Sequence, residues 1–401
     1  MSSALYPDRV RIDRFRPEPG RRLVVFSDVH ADLSSLRRAL DAAQLRPDDI
    51  LLPVGDYIER GPDSIGTLRF MMELSERYEM HAVAGNVDAY VLWMLTGPHP
   101  LADASLRRAL AFRAPREGRF AREARAALGL ADVPELNPEI DPSLADPLCM
   151  PETPAQTAAL HAFRDRVREA YAAELRWLGS LPTVTDTPQR IFVHGGLPHE
   201  NLDALAGTPA WSLTKNDNFV GQGLSFSRTV IVGHWPAILY RPRIPDSRPF
   251  WAREQNILSI DGGSGVKPDG QVNVLVFPDA GAAPDEYELF SADTLPQVTA
   301  LDAQAASADA FSFHWGDHYA DVLRREGDCA LIRHRSSGRE LWVHASFIFQ
   351  DGSPAGVEDS TTYELPVSPG DRLSLICRCS RGCVVKKDGV TGWYRGRITA
   401  E

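Results

Sequence analysis

Five short stretches of this chain share one pattern, an apolar run that leads directly into Asp, Asn or His. In the first, the Val-Val-Phe run of residues 24–26 is followed by Ser27-Asp28-Val29-His30. A short run of this kind predicts a buried strand, and ligands of open α/β sheets bind beyond the carboxyl ends of strands. The pattern therefore predicts an α/β fold that collects polar side chains at one edge. The other four runs lead into Gly55-Asp56, Gly85-Asn86, His194-Gly195-Gly196 and Gly233-His234.

The residues between these runs predict helices that connect the strands. Leu33, Leu36 and Leu40 follow Asp32 at near-helical spacing, so one helix face packs on the sheet. Alternation of strand and helix implies right-handed crossovers and a mostly parallel core. We predict helices over 32–45, 62–78 and 171–181, and strands over 21–26, 50–54, 81–84, 190–193, 229–232, 256–260 and 272–277.

Changes in composition along the chain predict its domains. Residues 1–20 are an extended lead-in, and residues 21–280 form the α/β domain. Inside it, residues 97–170 are rich in Ala, Arg and Leu and predict a helical insertion that caps the strand ends. Residues 281–310 have few large apolar side chains, which is typical of a linker. Residues 311–401 carry short β runs, including a hairpin around Ser336-Ser337-Gly338, and predict a small all-β domain.

Charge and composition exclude some classes of protein. A net charge of −11 over 401 residues argues against a nucleic-acid binder. No apolar run approaches the ~20 residues needed to span a bilayer, and the polar, proline-broken start predicts no Sec-type signal peptide. Five cysteines, an odd number, do not predict a disulfide framework, so we expect a cytoplasmic protein. Cys377, Cys379 and Cys383 hint at zinc, but without a nearby fourth ligand plain thiols are favoured.

The polar residues at the strand ends form a mixed set of oxygen and nitrogen ligands. Carboxylates, an amide and imidazoles suit Mn, Fe or Zn better than a metal that prefers thiolates. A carboxylate between two ions can bridge them, and a two-metal site activates water and clamps phosphoryl oxygens. The sequence therefore predicts phosphoester hydrolysis. The set consists of Asp28, His30, Asp56, Asn86, His194 and His234.

In this order, the five polar stretches resemble the motifs of the calcineurin-like metallophosphoesterases. Residues 55–64 and the later Gly233-His234-Trp235-Pro236 and Ile260-Asp261-Gly262-Gly263 stretches resemble the phosphoprotein phosphatase (PPP) branch. Bacterial protein phosphatases and symmetrical diadenosine tetraphosphate hydrolases share these features. The resemblance covers residues 21–280. It implies a four-layer α/β/β/α fold, in which a β-sandwich is flanked by helices.

The resemblance also implies roles for individual residues. Arg60 would clamp the substrate phosphate, for which its planar guanidinium is suited. The family's second phosphate-binding Arg is matched by position by Lys215, with Arg228 as a rival. Two divalent ions, Mn²⁺ first with Fe, Zn and Mg as alternatives, would be the cofactors. Asp28, His30 and Asp56 would bind the first ion, and Asp56, Asn86, His194 and His234 the second.

Two positions depart from the PPP pattern. The third motif is Gly-Asn-His followed by an acid in that branch, whereas here it is Gly85-Asn86-Val87-Asp88. Val87 cannot donate the proton that this His is expected to give the leaving group, and Glu59 replaces its usual Asp partner. General acid catalysis contributes about 10²–10⁴ in rate, so alkyl phosphates should react slowly. Asp88, Glu59 or a cap histidine, His99 or His161, are the candidate substitutes.

The end of the chain carries a second resemblance. Residues 363–373 and Gly392-Trp393-Tyr394-Arg395-Gly396 resemble an SH3-type barrel, in which an aromatic pair lines a peptide groove. The alternative is an unrelated small β domain, with Trp393 and Tyr394 in its core.

These observations predict an enzyme. The leading prediction is a binuclear metal phosphatase that hydrolyses phosphomonoesters of phosphoproteins by attack of metal-bound hydroxide. A hydrolase of dinucleoside polyphosphates or other nucleotides, with phosphodiesterase activity included, is the alternative. A prediction of another class is a weakly active pseudophosphatase that recognises phosphate and recruits a peptide partner through its β domain. Neither nucleic acid nor membrane is an expected partner.

Overall fold

The chain is divided into two compact units. The computed structural model describes residues 9–97, 100–111, 118–136, 153–206, 208–350 and 352–400. The α/β unit comprises the residues up to Trp235 together with Trp251–Val266 and Val272–Ala292. The β unit comprises Pro236–Phe250, Lys267–Gln271 and the residues from Asp293 onward. Within the described ranges, no helix has both the length and the apolar character needed to cross a membrane.

The strands of the α/β unit form two sheets. One has the order β1-β5-β6-β7-β9-β8, and the other has the order β11-β10-β2-β3-β4. The pairs that carry the polar stretches, β2 with β3 and β6 with β7, are parallel. The strands are β1 (Ile12–Arg14), β2 (Leu23–Phe26), β3 (Ile50–Pro53), β4 (Glu79–Met80), β5 (Val184–Asp186), β6 (Arg190–Val193), β7 (Thr229–Val232), β8 (Phe250–Ala252), β9 (Ile257–Ser259), β10 (Val272–Phe277) and β11 (Glu288–Ala292).

The sheets pack face to face, which explains why β2 is apolar throughout. Leu23 and Val25 lie in one hydrophobic cluster with Phe192 and Ile231 of the other sheet. Because successive side chains of a strand point to opposite faces, the remaining residues of β2 face away from that cluster and pack among the helices. The helices are α1 (Leu33–Ala43), α2 (Ser64–Arg77), α3 (Asn86–Thr96), α4 (Pro100–Ala111), α5 (Arg119–Ala127), α6 (Pro154–Ala170), α7 (Ala172–Ser180) and α8 (Trp211–Thr214).

Two of these helices begin directly after a polar stretch. Asp32 caps α1 by accepting the backbone N–H of Ser35, and Asp63 caps α2 by accepting that of Gly66. A capping carboxylate satisfies a backbone donor that the helix cannot pair internally. The polar loops are therefore each anchored between a buried strand and a capped helix.

The region from residue 97 to 170 contains α4, α5 and α6 within its described residues. Buried side chains of these helices join the hydrophobic cluster of α1, α2 and α3. Two carboxylates fix α5 to the core. Glu59 accepts the backbone N–H groups of Arg119 and Phe120 at the start of α5. Glu123 of α5 accepts those of Ser64 and Ile65 at the start of α2.

Two expectations differ from the structure in the α/β unit. The third strand, predicted over 81–84, lies instead at Glu79–Met80, and only an isolated bridge between Val54 and Val83 continues the pairing. The stretch 281–310, predicted to be a linker, contains Glu288–Ala292, which pairs with β10, and a further strand, Gln297–Ala300. Glu79–Met80 and Glu288–Ala292 lie at the edges of their sheets with partly exposed side chains, so local composition did not indicate them. Gln297–Ala300 lies between two other strands of its sheet.

The β unit contains two five-stranded sheets with the orders β22-β21-β20-β12-β23 and β16-β15-β14-β18-β17, and a short pair, β13 with β19. Trp393 and Tyr394 are buried, which favours the core interpretation over the groove. The strands are β12 (Gln297–Ala300), β13 (Ser312–Phe313), β14 (Tyr319–Glu326), β15 (Cys329–His334), β16 (Glu340–His344), β17 (Ile348–Gln350), β18 (Ala355–Val357), β19 (Ser360–Thr361), β20 (Arg372–Cys379), β21 (Gly382–Lys387), β22 (Val390–Tyr394) and β23 (Ile398–Ala400).

Candidate metal centre

The residues predicted as metal ligands converge at the ends of β2, β3, β6 and β7. Two groups, Asp28 with His30 and Asp56, and Asp56 with His194 and His234, each place their ligand atoms within 4.8 Å of one another. Asp56 belongs to both groups, as a bridging ligand would. Its Oδ2 lies 3.7 Å from His30 Nε2 and 3.4 Å from His194 Nε2. The sixth residue, Asn86, places Oδ1 3.1 Å from His194 Nε2.

Backbone carbonyl groups orient two of the imidazoles. His194 Nδ1 lies 2.7 Å from the carbonyl oxygen of Val54, and His30 Nδ1 lies 3.4 Å from that of Ile58. If Nδ1 carries the proton and donates it to these acceptors, Nε2 keeps its lone pair and faces the carboxylates. A hydrogen bond from the other ring nitrogen fixes the tautomer and ring orientation of a metal-ligating histidine. Both rings are therefore arranged as nitrogen ligands.

The protonation states also fit a cation. Burial lowers the pKa of His30 to about 3 and that of His234 to about 4, so both rings are neutral at pH 7. Burial opposes the charge of His194, but Asp56 and Asp28 outweigh it and raise its pKa to about 10. Burial, and then the nearby charges of Asp261 and Asp56, raise the pKa of Asp28 well above its usual value, so the clustered carboxylates lack enough positive charge of their own. A divalent ion would supply that charge and displace the proton.

The backbone at these ligands is strained. Four of the six have positive φ angles, namely Asp28 (50°), His30 (48°), Asp56 (56°) and His234 (66°). For a residue other than glycine, such a conformation costs on the order of 1–3 kcal/mol and persists only where the surroundings impose it, often at functional sites. The buried strands and capped helices on either side of these loops provide that constraint.

Close packing of the loops explains two of the glycines. A Cβ atom on Gly85 would lie 2.0 Å from Asp56 Oδ1, and one on Gly233 would lie 2.2 Å from Asp28 Oδ2. Neither distance is possible between non-bonded atoms, so only glycine permits these loops to approach the carboxylates. The backbone N–H of Val87 then donates to Asp56 Oδ1 at 2.8 Å, and that of His234 donates to Asp28 Oδ2 at 3.0 Å.

Asp88 holds the backbone of two of these loops in place by accepting hydrogen bonds. Its carboxylate accepts the backbone N–H groups of Asp56, Tyr57 and Gly85 at 2.8–3.0 Å. Burial and then the charge of Asp56 raise its pKa to about 7. Because both oxygens are directed to the backbone and the residue is 1% exposed, the geometry favours a structural acceptor over a general acid.

A cavity of about 300 Å³ opens beside the centre. Arg60 lies in its wall, and Nε of this guanidinium is buried with no hydrogen-bond partner in the described part of the chain. A guanidinium without a carboxylate partner is suited to bind an anion. The lining includes Glu59, Arg60, Asn86 and Val87, the α3 residues Tyr90 and Met94, the α4 residues Ser105 and Arg108, and Trp211.

The two candidates for a second phosphate contact lie in different places. Lys215 Nζ is 3.4 Å from His234 Nε2, at the edge of the centre, and is paired with Asp217. Arg228 precedes β7 and bonds Asp186 and the Thr187 carbonyl, at the end of the strand opposite His234. Of the two candidates, Lys215 therefore lies nearer the centre, whereas an ion pair with Asp186 holds the guanidinium of Arg228 away from it.

Sequence reasoning missed Asp217, whose Oδ1 lies 2.7 Å from His234 Nε2. Asp217 is half-exposed and lies in a loop that carries no recognisable motif, so the local sequence did not indicate a contact with His234. Of the two cap histidines, His161 is exposed on α6 and paired with Asp103 rather than in the cavity wall. His99 lies outside the described residues.

Comparisons with known proteins bear on the α/β unit. Residues 21–247 match the family model of the calcineurin-like phosphoesterases. A symmetrical bis(5'-nucleosyl)-tetraphosphatase from Aeromonas hydrophila subsp. hydrophila is 41% identical over 75 residues, which are 18% of this chain and 27% of that protein. Serine/threonine-protein phosphatase 1 from Salmonella typhimurium is 35% identical over 95 residues, 21% of this chain and 42% of that protein. The chain thus spans about a quarter to two fifths of the length of these relatives.

A solved structure, a protein serine/threonine phosphatase from Saccharomyces cerevisiae, gives a TM-score of 0.38 at 12% identity, over 72% of this chain and 85% of that one.

Proposed function

Because this chain belongs to the calcineurin-like phosphoesterase family, we propose that it is a metal-dependent hydrolase of phosphomonoesters, with phosphoproteins as substrates. One observation carries the proposal. Two ligand groups share the buried carboxylate of Asp56, and the guanidinium of Arg60 lies in the wall of the adjoining cavity. Two divalent ions held there would activate a water molecule and polarise the phosphoryl oxygens. Oxygen and neutral imidazole ligands favour Mn²⁺, with Fe, Zn and Mg as alternatives.

The chain's own residues would position the substrate. Arg60 would hold the phosphate oxygens through charge-assisted hydrogen bonds. Lys215 lies near His234 and would add positive charge on the far side of the centre. The cavity lined by α3 and α4 would accept the group attached to phosphorus. The pairing of Asp28 and Asp56 with backbone N–H groups would keep both carboxylates fixed while the substrate binds.

The residues near the leaving group indicate which substrates should react fastest. Val87 lines the cavity next to Asn86 and has no proton to donate. Glu59 also lines it, but both of its oxygens accept backbone N–H groups of α5. We therefore infer that the leaving group departs without strong general acid assistance. Aryl phosphates and phosphoanhydrides, which release a phenolate or a phosphate, should therefore be hydrolysed faster than alkyl phosphates, which release an alkoxide.

The test is hydrolysis with added Mn²⁺ of an aryl phosphate, a phosphotyrosine peptide, a phosphoserine peptide and a dinucleoside polyphosphate. We expect kcat/KM for the two aryl esters to exceed that for the phosphoserine peptide by about 10²-fold or more, the size of a missing general acid. Asp28→Asn should abolish all of these activities because Asp28 is a ligand of the first group. Tight metal binding without turnover of any substrate would contradict the proposal and support a pseudophosphatase.

A nucleotide substrate is the second candidate, favoured by one observation. Tyr90 and Trp211 both line the cavity and are both about two fifths exposed, as residues that stack on a base would be. Hydrolysis of the dinucleoside polyphosphate faster than of either phosphopeptide, with loss of this preference in Trp211→Ala, would select this alternative.

We also propose that the β unit binds a proline-rich peptide, through a surface other than the Trp393-Tyr394 pair of the SH3-type resemblance, which is buried. The support is an exposed aromatic group, in which Trp315 and Tyr319 flank His318 at ring distances of 4.7 and 4.5 Å, and Phe349 lies 5.6 Å from it. Such surfaces suit polyproline II segments. Quenching of Trp fluorescence by a proline-rich peptide, absent in Trp315→Ala, would support the role, and no binding would contradict it. A cytoplasmic location remains part of the proposal.

A further inference from the structure

A second set of potential metal ligands lies in the β unit, independent of the centre described above. Cys329 is the first residue of β15 and Cys379 is the last residue of β20, so the two belong to different sheets. Ligand atoms of Asp328, Cys329 and Cys379 all lie within 4.8 Å of one another. Sulfur atoms from two sheets and a carboxylate thus converge on one point.

The surroundings of this group are those of a built site. Both thiols are buried in a small hydrophobic cluster with Val384 and Trp393. The carboxylate of Asp328 is held in place by Ser380, which donates its backbone N–H and its hydroxyl at 3.0 and 2.7 Å. Hydrogen bonds of this kind fix the orientation of a carboxylate that binds a metal ion.

A third thiol is available on the same side of β20. Beyond the irregularity at 375–377, the pairing of β20 with β21 is regular, with Cys377 opposite Val384 and Cys379 opposite Gly382. Residues two apart on a strand point to the same face, and Cys377 packs against the same hydrophobic cluster. Cys377 lies outside the group whose ligand atoms fall within 4.8 Å of one another, so its thiol would turn toward Cys379 to complete a four-coordinate site.

Cys383 does not belong to the group. It lies opposite Arg378 in the pairing with β21 and packs in the core of the other face, with Leu373 and Tyr394. The sequence alone left three cysteines without a fourth ligand. The fold replaces Cys383 in that set with Cys329 and adds Asp328, which is distant from β20 in sequence.

We propose that Asp328, Cys329, Cys377 and Cys379 bind one Zn²⁺ ion that joins the two sheets of the β unit. Three sulfur ligands and one carboxylate oxygen suit Zn²⁺ in a closed, four-coordinate structural site. The two sheets have separate hydrophobic clusters of modest size, so a shared ion would add a link that neither core supplies. Binding requires the thiols to lose their protons, and the affinity should therefore fall at low pH.

The experiment uses the full chain in a Cys149→Ser background, which leaves the four cysteines of the β unit as the chain's thiols. Replacement of bound metal by Co²⁺ should produce a thiolate-to-cobalt charge-transfer absorption. The metal centre of the α/β unit has no cysteine ligand, so it cannot produce this band. We expect the band in this protein and its loss in Cys329→Ser and Cys379→Ser. Cys383→Ser, a buried cysteine of the neighbouring strand, is the matched control and should retain it.

A second readout does not depend on the folding of any variant. In the chain with intact cysteines, chelation should speed the alkylation of Cys329 and Cys379 followed by mass spectrometry, and added Zn²⁺ should restore their protection, whereas the centre of the α/β unit has no cysteine to report. Absence of the charge-transfer band, equal loss of it in Cys383→Ser, or a Cys329–Cys379 disulfide found by mass spectrometry of the purified chain would each overturn the proposal.

Discussion

At the scale of one residue, the position of the Arg60 guanidinium predicts how its removal would affect catalysis. Its Nε has no hydrogen-bond partner among the described residues, and it borders the cavity. We expect Arg60→Ala to lower kcat/KM about 10- to 100-fold, because a hydrogen bond to a charged group contributes roughly 1.5–3 kcal/mol. Metal content should not change, since Arg60 lies outside both ligand groups. Steady-state kinetics and elemental analysis measure the two quantities.

Arg228→Ala is the control for this prediction. Arg228 is paired with Asp186 away from the centre, so its removal should reduce stability while leaving kcat/KM within about twofold, as expected of a residue remote from the chemistry. Equal kinetic losses in the two variants would contradict the assignment of Arg60 as the phosphate contact.

At this scale, the sequence predicted the ligands better than their surroundings. Asp28, His30 and Asp56 could be predicted as candidate ligands because each follows a buried strand by two to four residues, and the strand ends meet at one edge. Asp217 could not be identified because it reaches His234 from a loop whose path depends on long-range packing. Asp88 illustrates the same limit, since only the coordinates show that its oxygens accept backbone N–H groups.

At the scale of elements, Glu59 fixes α5 to the loop that follows β3. In Glu59→Gln the amide NH₂ would face a backbone N–H, so one buried donor would lose its acceptor at a cost of about 1–3 kcal/mol. We expect faster hydrogen exchange of the amides at the start of α5, namely Arg119 and Phe120, and a lower free energy of unfolding. Exchange followed by mass spectrometry measures the first, and urea titration the second.

The control for Glu59→Gln is Glu135→Gln. Glu135 is an exposed glutamate of the same insertion, and its replacement should leave the exchange of α5 unchanged. Protection of the α5 amides that is the same in Glu59→Gln as in the unmodified protein would show that other contacts hold this helix.

Most elements of the α/β unit could be predicted because they carry continuous apolar runs or apolar residues at helical spacing. The strands at 190–193, 229–232 and 272–277 were predicted with their observed limits because they are apolar on both faces. The third strand and β11 were misplaced for the opposite reason. Each lies at the edge of its sheet with exposed side chains, where pairing with a neighbour, rather than local composition, determines the conformation.

At the scale of the whole molecule, a buried ion network gives a pH-dependent prediction for the β unit. Asp359 lies 2.8 Å from Lys267 Nζ and 3.3 Å from His314 Nδ1, and it accepts the backbone N–H of Trp315. Burial opposes its charge, but His314 and Lys267 outweigh burial and lower its pKa below 3.8. The stability that it contributes is therefore present above its unfolded pKa and is lost as the pH falls through the folded one.

Asp359→Asn should cost about 3–5 kcal/mol at pH 7, because Lys267 would be left as an uncompensated buried charge. The melting temperature of the Asp359→Asn variant should also fall less on acidification from pH 5 to pH 2 than that of the unmodified protein. Calorimetry at several pH values measures both effects. Asp321→Asn removes an exposed partner of Arg335 and should change stability little. Parallel acid profiles for Asp359→Asn and the unmodified chain would refute the role of this network.

Domain organisation was the feature least accessible to the sequence. Consecutive domains over 21–280 and 311–401 were predicted from changes in composition along the chain. The structure instead assigns Pro236–Phe250 and Lys267–Gln271 to the β unit. These segments are short and lie between strands of the α/β unit, so their membership depends on contacts with residues more than a hundred positions away, as in the bond from Thr391 to Asp269.

The β unit therefore cannot be added or removed by a single gene fusion after the α/β unit, because two of its segments lie within the sequence of that unit. A chain terminated after Ala292 would keep Lys267 and Asp269 but lose Asp359 and Thr391, with which they pair. Exchange of this unit between relatives by recombination would need five coordinated breakpoints rather than one, two around each internal segment and one before Asp293. We expect the two units to be inherited together, and alternative C-terminal modules to occur only in relatives whose two intervening segments have also changed.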